Sequence, residues 1–298
     1  MASLKAVTSL CLFGAYSIRL DGKPCHLGIS GATEKLLQYL LINQGVEIRR
    51  EFLADLFWRT SSPERQKSAL NSAIWRIKRQ LVDIGDIDLD CKGHKVQLKV
   101  ASGVNTDTRE LSDIVHNISL DEPMNEKTAE RLYRVLDECN APFMEGFMDD
   151  WILTERERLF NIQNRGMIIL MQWLGQRRRY EDALEIGRRL LVADPSREAA
   201  QCEVMLLYVV NGQRAQALRH YQEFRRWLKR ELDIEPMPET KALYDYIRMG
   251  INNEKYQSAP KSAEPGRAES RTPSFSKLLG VIDRSRHELY EALSSQLL

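Results

Sequence analysis

Residues 63–84 have the sequence PERQKSALNSAIWRIKRQLVDI, and this stretch decides how the N-terminal part of the chain folds. Its apolar residues recur every three or four positions, which predicts one amphipathic helix over Pro63–Ile84. The buried stripe of this helix is formed by Leu70, Ile74, Ile77, Leu81 and Ile84. The opposite face carries polar, basic and aromatic side chains, namely Arg65, Ser68, Ser72, Trp75, Arg76 and Arg79. One side of the helix therefore suits a core, and the other suits a partner.

The elements predicted around this helix follow a familiar order. Alternating apolar residues between Leu10 and Gly22 predict a strand, a turn and a second strand. Two short helices are predicted over Thr33–Asn43 and Arg49–Trp58, and a hairpin over Ile87–Val100. A sheet, three helices and a terminal hairpin, in that order, are typical of a winged helix-turn-helix. In that module one helix enters the major groove of DNA, and the hairpin wing contacts the flanking backbone.

The outer face of the predicted long helix carries residue types that bind nucleic acid. Arginine can donate two hydrogen bonds to guanine, serine can bond bases or phosphates, and an aromatic ring can pack on sugar or thymine methyl groups. The alternative is that this charged face is only solvated, as most outer helix faces are. The place of the helix in the module, and an exposed Trp75 among arginines, favour a helix that reads DNA.

The predicted hairpin also has a basic side. Its second strand alternates between an apolar set, Val96, Leu98 and Val100, and a polar set, Lys95, Gln97 and Lys99. Lysines that face outward suit contact with phosphates, which supplies affinity without sequence choice. The alternative is that these lysines protect the edge of a sheet. The predicted DNA contacts of the wing include the turn that precedes this strand, and they are Lys92, His94, Lys95 and Lys99.

The composition is that of an ordinary protein with two domains and a modest charge asymmetry. The 298 residues are 43% apolar and 29% charged, and the formal net charge is +1. Residues 1–107 carry 15 Lys and Arg against 11 Asp and Glu, while the remaining residues carry 28 against 31. A basic N-terminal part has the sign expected for phosphate contact, but the excess is too small to decide the function by itself.

No sequence motif indicates an enzyme, a cofactor or a metal site. The chain lacks the P-loop, dinucleotide-binding, zinc-protease and nucleophile-elbow signatures. Its five cysteines are widely spaced, which favours reduced thiols over a metal site or a disulfide framework. The N-terminus lacks the features of a signal peptide, and no apolar run is long enough to span a membrane. We therefore expect a cytoplasmic protein that is not an enzyme and needs no cofactor.

The second half of the chain has an almost uninterrupted helical pattern. Six helices are predicted, over Glu126–Cys139, Trp151–Gln176, Tyr180–Val192, Arg197–Asn211, Ala215–Leu232 and Pro238–Gly250. Ala183-Leu184 and Ala217-Leu218 recur 34 residues apart, which is the period of tetratricopeptide repeats. The predicted fold class is therefore mainly α with a small β part. A winged helix-turn-helix over residues 1–107 precedes a helical repeat domain over residues 108–251.

The C-terminal residues have two different compositions. Residues 252–276 are rich in Ser, Pro, Ala, Glu and Lys and predict a disordered linker. Residues 277–298 have apolar side chains at helical spacing and predict a short amphipathic helix. This helix either docks on its own domain or contacts another protomer or partner.

Two sets of motifs carry a resemblance to a known family. The first set is Leu12-Phe13-Gly14, LLQYLL at 36–41, LADLFW at 53–58 and IWRIKRQL at 74–81. It resembles the OmpR-like winged helix of the Streptomyces antibiotic regulatory protein family. The second set is FMDDW at 147–151, ERERL at 155–159, Asp194-Pro195 with Arg197-Glu198-Ala199, and Glu231-Leu232 with Glu235-Pro236. It resembles the bacterial transcriptional activator domain of the same family, and the two sets cover roughly residues 9–251.

The resemblance implies a transcriptional activator that binds direct repeats near promoters as a dimer or larger assembly and recruits RNA polymerase. The expected partner is therefore double-stranded DNA, with RNA polymerase as a second partner and no membrane. The main alternative is a helical-repeat adaptor whose winged helix contacts protein. The basic outer face of the long helix argues against it, because protein-binding faces are usually more apolar. An enzyme with an unrecognised site in the helical domain is a further alternative that no group of residues supports.

Overall fold

The structure is a computed structural model, and it describes residues 7–14, 16–20, 23–25, 27–82, 84, 86–118 and 124–249. The predicted linker at 252–276 and the predicted helix at 277–298 lie outside the described residues. Within these ranges the chain forms two compact units. The first unit comprises residues 7–118 and 130–163, and the second comprises residues 124–129 and 164–249.

The elements follow one another in an order that agrees with the predicted fold class, mainly α with a small β part. The strands are β1 Val7–Cys11, β2 Ser17–Leu20, β3 Lys23–Cys25, β4 Ile48–Arg49, β5 Ile87–Asp90, β6 Lys95–Val100 and β7 Asn105–Thr106. The helices are α1 Ala32–Ile42, α2 Arg50–Trp58, α3 Pro63–Leu81, α4 Asp107–Asn117, α5 Glu126–Glu138, α6 Asp150–Gln176, α7 Tyr180–Ala193, α8 Glu198–Val210, α9 Arg214–Glu231 and α10 Pro238–Met249.

Two small sheets share one core with the first three helices of the first unit. One sheet has the order β3-β2-β1-β7, in which β7 runs parallel to β1, and the other has the order β4-β6-β5. The predicted N-terminal sheet, three helices and hairpin are therefore confirmed. Four short elements have no counterpart among those predicted from the sequence, namely β3, β4, β7 and α4. The α3 helix ends at Leu81 instead of Ile84, although the side chain of Ile84 is still buried.

The core of the winged helix is built from the apolar stripes of α1, α2 and α3 and the inner faces of the sheets. The predicted α3 stripe is buried throughout, at Leu70, Ile74, Ile77 and Leu81, together with Ala73. These side chains pack with residues of α1 and with the inward side chains of the hairpin in one cluster. Because burial of apolar area is the main stabilising contribution, this cluster fixes which side of α3 faces outward.

The first unit also contains a seam between residues 12–14, which follow β1, and residues 142–145, which precede α6. Its three backbone hydrogen bonds run from Gly14 N to the Pro142 carbonyl (2.9 Å), from Met144 N to the Leu12 carbonyl (2.8 Å) and from Glu145 N to the Gly14 carbonyl (3.0 Å). The rings of Phe13 and Phe143 meet edge to face at 6.1 Å, and both are buried. The compact unit thus extends beyond the predicted boundary at residue 107.

Asp107 lies beside this seam at the first turn of α4. Its Oδ2 accepts hydrogen bonds from the backbone N–H groups of Leu12 (2.7 Å) and Phe13 (3.0 Å), and its Oδ1 accepts one from Thr108 (2.7 Å). Burial raises the pKa of Asp107 to about 6, and the three N–H donors hold it below what burial alone would give. One carboxyl group therefore joins the end of β1 to the start of α4.

Side chains extend the seam to α1 and α2. Lys35 and Asp149 form an ion pair at 2.8 Å, although they are 114 positions apart in the chain. The ring of Trp151 lies edge to face against Tyr39, with centroids 5.1 Å apart, and 6.3 Å from Phe57. The helices of the winged helix are therefore held by residues that lie far beyond the predicted domain boundary.

The second unit contains two successive helix pairs, α7 with α8 and α9 with α10. The helices α7 and α9 begin at Tyr180 and Arg214, the same 34-residue interval that separates the recurring Ala183 and Ala217, and both alanines are fully buried. Gly187 permits a close approach of helices, since a Cβ atom there would lie 2.6 Å from Val204 Cγ2. The predicted helical repeat is thus present in this unit. None of the helices within the described residues is long and apolar enough to cross a membrane.

Candidate nucleic-acid interface

The outer face of α3 is exposed, as the sequence predicts. All six of its predicted site residues are exposed, namely Arg65, Ser68, Ser72, Trp75, Arg76 and Arg79. The side chain of Trp75 is 59% exposed, which is unusual for the largest apolar side chain. The guanidinium carbon of Arg79 lies 5.4 Å from the centre of the Trp75 ring. This arrangement presents a flat aromatic surface with a cation beside it to the solvent.

The three arginines of this face differ from the lysines of the wing in having no anionic partner. Among the residues that the structure describes, Arg65 and Arg76 form neither an ion pair nor a side-chain hydrogen bond, and Arg79 contacts only Trp75. Their donors are therefore available to an external acceptor. A bidentate contact with guanine, or a charged contact with phosphate, would satisfy them without breaking an internal bond.

The framework around α3 fixes the direction of this face. Gln66 donates a hydrogen bond from Nε2 to the Trp58 carbonyl at 3.2 Å, which ties the first turn of α3 to the end of α2. Arg50 at the start of α2 donates a hydrogen bond to Oδ1 of Asn71. These two contacts, together with the buried stripe on the other side of α3, fix the orientation of the helix. The outer face is thereby held rigidly, as a helix that reads bases requires.

The wing is a regular antiparallel hairpin anchored to the start of α2. Its strands β5 and β6 pair so that Leu89 lies opposite Leu98, and β6 also pairs with β4, where Ile48 lies opposite Val96. The predicted alternation is confirmed, because Val96 and Leu98 are buried whereas Lys95 and Lys99 are exposed. The hairpin turn is fixed by a hydrogen bond of 2.8 Å from Arg50 N to the His94 carbonyl, which leaves the His94 residue itself exposed.

The wing lysines, which we define as Lys92, Lys95 and Lys99, all have carboxylate partners in their own chain. Asp90 accepts from Lys92 at 3.1 Å and from Lys99 at 2.9 Å. Glu47, which precedes β4, pairs with Lys95 at 2.5 Å. The hydrogen bond from Lys99 lowers the pKa of Asp90, and the one from Lys95 lowers the pKa of Glu47. Both carboxylates are therefore ionised at neutral pH and offset the positive charge of the wing.

Glu47 and Asp90 belong to the candidate interface through their ion pairs with the wing lysines, although they are not among the residues predicted from the sequence. A signal for Asp90 exists in the hairpin register, because Asp90 lies opposite Gln97 and hence diagonal to Lys99. Glu47 belongs to a connection before a two-residue strand that the sequence does not predict, so its contact with Lys95 has no local signal. Over the described part of the chain, no group of three or more His, Cys, Asp or Glu side chains is placed to hold a metal ion.

Comparison with known proteins finds a domain match for the second half of the chain and similar transcriptional regulators over most of its length. Residues 110–248 match the bacterial transcriptional activator domain. The transcriptional regulatory protein MoaR1 of Mycobacterium tuberculosis (strain ATCC 25618 / H37Rv) is 22% identical over 249 residues, covering 79% of this chain and 78% of that protein. MoaR1 of Mycobacterium bovis (strain BCG / Pasteur 1173P2) is 23% identical over the same shares.

A solved structure shows the same fold. Mycobacterium tuberculosis EmbR, in complex with a low affinity phosphopeptide, superposes with a TM-score of 0.70 and 17% sequence identity, covering 96% of this chain and 71% of that chain. Both MoaR1 proteins are named as transcriptional regulatory proteins. Together these matches confirm the resemblance drawn from the sequence: the chain is a transcriptional regulator that is similar to the Streptomyces antibiotic regulatory protein family, and its residues 110–248 match the bacterial transcriptional activator domain.

Proposed function

We propose that this regulator binds double-stranded DNA in a sequence-specific manner through the outer face of α3. The observation that carries the proposal is that face itself, where three arginines have no anionic partner and Trp75, with Arg79 beside its ring, is 59% exposed. In this proposal Arg76 and Arg79 contact base edges. Both lie near Trp75 in the sequence, and the buried stripe of α3 fixes the direction in which they face. Arg65, Ser68 and Ser72, nearer the start of α3, contact bases or phosphates.

The wing has a secondary role in the proposal. Lys92, His94, Lys95 and Lys99 lie on the exposed side of the hairpin and would contact the phosphate backbone. Each lysine would exchange an internal carboxylate for a phosphate, so its net contribution would be smaller than that of an unpaired cation. The wing would therefore adjust affinity, whereas α3 would determine the choice of sequence.

The remaining parts of the proposal concern assembly and activation, and they are supported by the resemblance. One recognition helix contacts only a few base pairs, so a monomer would discriminate poorly among genomic sites. We therefore propose a dimer or larger assembly on direct repeats, which acts in the cytoplasm as an activator and recruits RNA polymerase. The domain match at residues 110–248 supports the helical part as the surface that contacts protomers or polymerase.

A salt-dependent binding assay with the full chain tests the proposal. Random duplex DNA should bind weakly at low salt, and genome-wide footprinting of the tagged protein should supply a cognate site that binds more tightly. Changing both Arg76 and Arg79 to Ala should remove the preference for the cognate site. Arg134→Ala is a matched control, because Arg134 is an exposed arginine on α5, away from α3 and the wing.

Two outcomes would contradict the proposal. A folded protein without affinity for any duplex at low salt would favour the helical-repeat adaptor instead. An unchanged preference for the cognate site in the double variant would show that α3 does not read bases.

A further inference from the structure

The second unit contains a groove between α7, α8 and α9 that the proposed function does not use. Its volume is about 440 Å³, and it is lined mainly by Leu191, Gln201, His220, Phe224, Arg226 and Trp227. Sites for small ligands commonly have volumes of about 300–1,000 Å³ and combine apolar walls with a few polar groups. This groove has both features.

Two buried polar atoms of the groove have no hydrogen-bond partner within residues 124–129 and 164–249. Gln201 is only 5% exposed, and its Nε2 donates to the Pro195 carbonyl at 2.8 Å. This bond fixes the amide, so Oε1 remains as a buried acceptor without a donor. Nε2 of His220 is also buried and unpaired. Buried polar atoms are nearly always paired in folded proteins, so two unpaired ones in one groove indicate a missing hydrogen-bonding partner, which must be a donor toward Gln201 Oε1.

The protonation state of His220 limits which groups of a ligand could pair with it. Burial lowers the pKa of His220, which favours the neutral imidazole, and its ring packs 5.9 Å from that of Tyr208. A neutral imidazole has one donor and one acceptor nitrogen. The groove therefore offers Gln201 Oε1, and optionally the imidazole, to a ligand that carries N–H or O–H groups.

Two opposite charges stand unpaired on the rim of the groove. Arg226 donates from Nε to the Gln222 carbonyl at 3.2 Å, which leaves its two terminal nitrogens free of any carboxylate in the described residues. Glu223, three positions earlier on α9, is exposed and forms no ion pair there either. Arg230, by contrast, is taken up by Glu231 at 2.6 Å. An external ligand that matches this rim would carry one negative and one positive group close together.

We infer that the groove binds a free α-amino acid with a planar apolar side chain. Arg226 binds the carboxylate, and Glu223 with Gln201 Oε1 binds the ammonium group. The side chain packs against Phe224 and Trp227. This assignment uses each unpaired charge of the rim and supplies the donor that the buried acceptor lacks. It adds a ligand of defined class to a protein whose proposed activity needs none.

Calorimetric titration of the full chain with three related probes tests this inference. The probes are L-phenylalanine, phenethylamine, which lacks the carboxylate, and 3-phenylpropionate, which lacks the ammonium group. L-Phenylalanine should bind saturably and each truncated probe about tenfold more weakly or worse, since each loses a charge-assisted hydrogen bond. Arg226→Gln should abolish the preference over phenethylamine, and Glu223→Gln should abolish the preference over 3-phenylpropionate.

The controls separate local loss of binding from loss of folding. Arg219→Gln changes another exposed arginine of α9 that does not line the groove, so it should leave all three affinities unchanged. Thermal unfolding of each variant should match the wild type, because Arg226 and Glu223 are both exposed. The inference is overturned if L-phenylalanine, L-tyrosine and L-tryptophan all fail to bind at millimolar concentration. It is equally overturned if the truncated probes bind as well as the amino acid, or if Arg226→Gln and Arg219→Gln have the same effect.

Discussion

The outer face of α3 and the wing lysines are both exposed cationic surfaces of the same unit, but they differ in what neutralises them. The α3 arginines have no anionic partner among the described residues, whereas every wing lysine is paired with Glu47 or Asp90. In the sequence the two surfaces have the same number of cations, three arginines on α3 and three lysines in the wing. The structure assigns the available positive charge to α3, because a paired lysine must give up one anion before it gains another.

This difference also concerns rigidity. The α3 arginines are carried by a helix whose opposite side is buried, so their positions are set by the core. The wing lysines are positioned by exposed ion pairs, which are weak and are screened by salt. The helix is thus suited to geometry-dependent base contacts, and the wing to contacts that tolerate movement.

Ionisation of Asp107 should have the largest effect, and it should act on the stability of the first unit, which carries both surfaces. The Asp107 carboxyl group joins the end of β1 to the start of α4 in this unit. Burial raises the pKa of Asp107 from 3.8 to about 6. As pH rises, the unfolded chain therefore loses this proton before the folded chain does. Stability is greatest below the unfolded pKa, and it falls until the pH passes about 6. The loss corresponds to up to about 3 kcal/mol.

Urea denaturation of the wild type and of Asp107→Asn, from about pH 4 to pH 7, measures this loss. The variant has no proton to release at this position, so the wild type should lose stability relative to it as the pH rises. A difference between the two that stays constant with pH would contradict the prediction. The DNA affinities of α3 and wing variants should therefore be measured at one fixed pH.

Removal of the α3 arginines should have the next largest effect, and it should depend on the sequence of the DNA. Arg76→Ala and Arg79→Ala should each weaken binding to the cognate site by about 1–3 kcal/mol, and binding to random duplex by less. Fluorescence anisotropy with labelled duplexes of both kinds measures the two affinities. Equal losses on both would remove the distinction between α3 and the wing.

Release of Lys92 and Lys99 from Asp90 should change DNA affinity by a smaller amount, and it should raise the affinity where loss of the α3 arginines lowers it. Asp90→Asn frees Lys92 and Lys99, so affinity for any duplex should rise a few-fold and the salt dependence should steepen by about one or two phosphate contacts. Asp55→Asn on α2 is the matched control, because it removes an equal exposed charge that forms no ion pair in the described structure. If both variants raise affinity equally, net charge and not pairing governs the wing.

Loss of a single wing lysine should have the smallest effect. Lys99→Ala and Lys95→Ala should each reduce the salt dependence by less than one phosphate contact, because Asp90 and Glu47 already offset these charges. Lys99→Ala made together with Asp90→Asn should instead show the full effect of about one contact. Identical effects of Lys99→Ala in both backgrounds would show that the ion pair does not matter.

The sequence predicted the parts of the fold that depend on local periodicity. The α3 stripe, the alternation in β6 and the 34-residue interval of α7 and α9 are all repeated patterns, and the structure has each of them. The helix α4 was missed although Leu111, Ile114 and Val115 form a buried stripe at helical spacing. It is short and follows a polar stretch that resembled a domain junction.

The seam and the ion pairs of the wing depend on long-range contacts, which periodicity does not reveal. Nothing near Phe143 indicates that its ring meets Phe13, and nothing near Asp149 indicates that it pairs with Lys35. The domain boundaries at residues 107 and 251 and the DNA-binding roles of individual residues stay predictions. The locations of those residues on exposed surfaces, however, follow directly from the buried pattern beside them.

The seam between residues 12–14 and 142–145 has a consequence for synthesis of the chain. Synthesis proceeds at about 5–20 residues per second. Residues 142–145, which bond to the chain just after β1, therefore leave the ribosome many seconds after the N-terminal sheet. The pairs that lock α1 in place, such as Lys35 with Asp149, cannot form before the start of α6 has been made. A nascent chain that stops at the wing already has the core contacts of α1 but lacks those with Asp149 and Trp151, so the first unit is complete only after the start of α6 has been made.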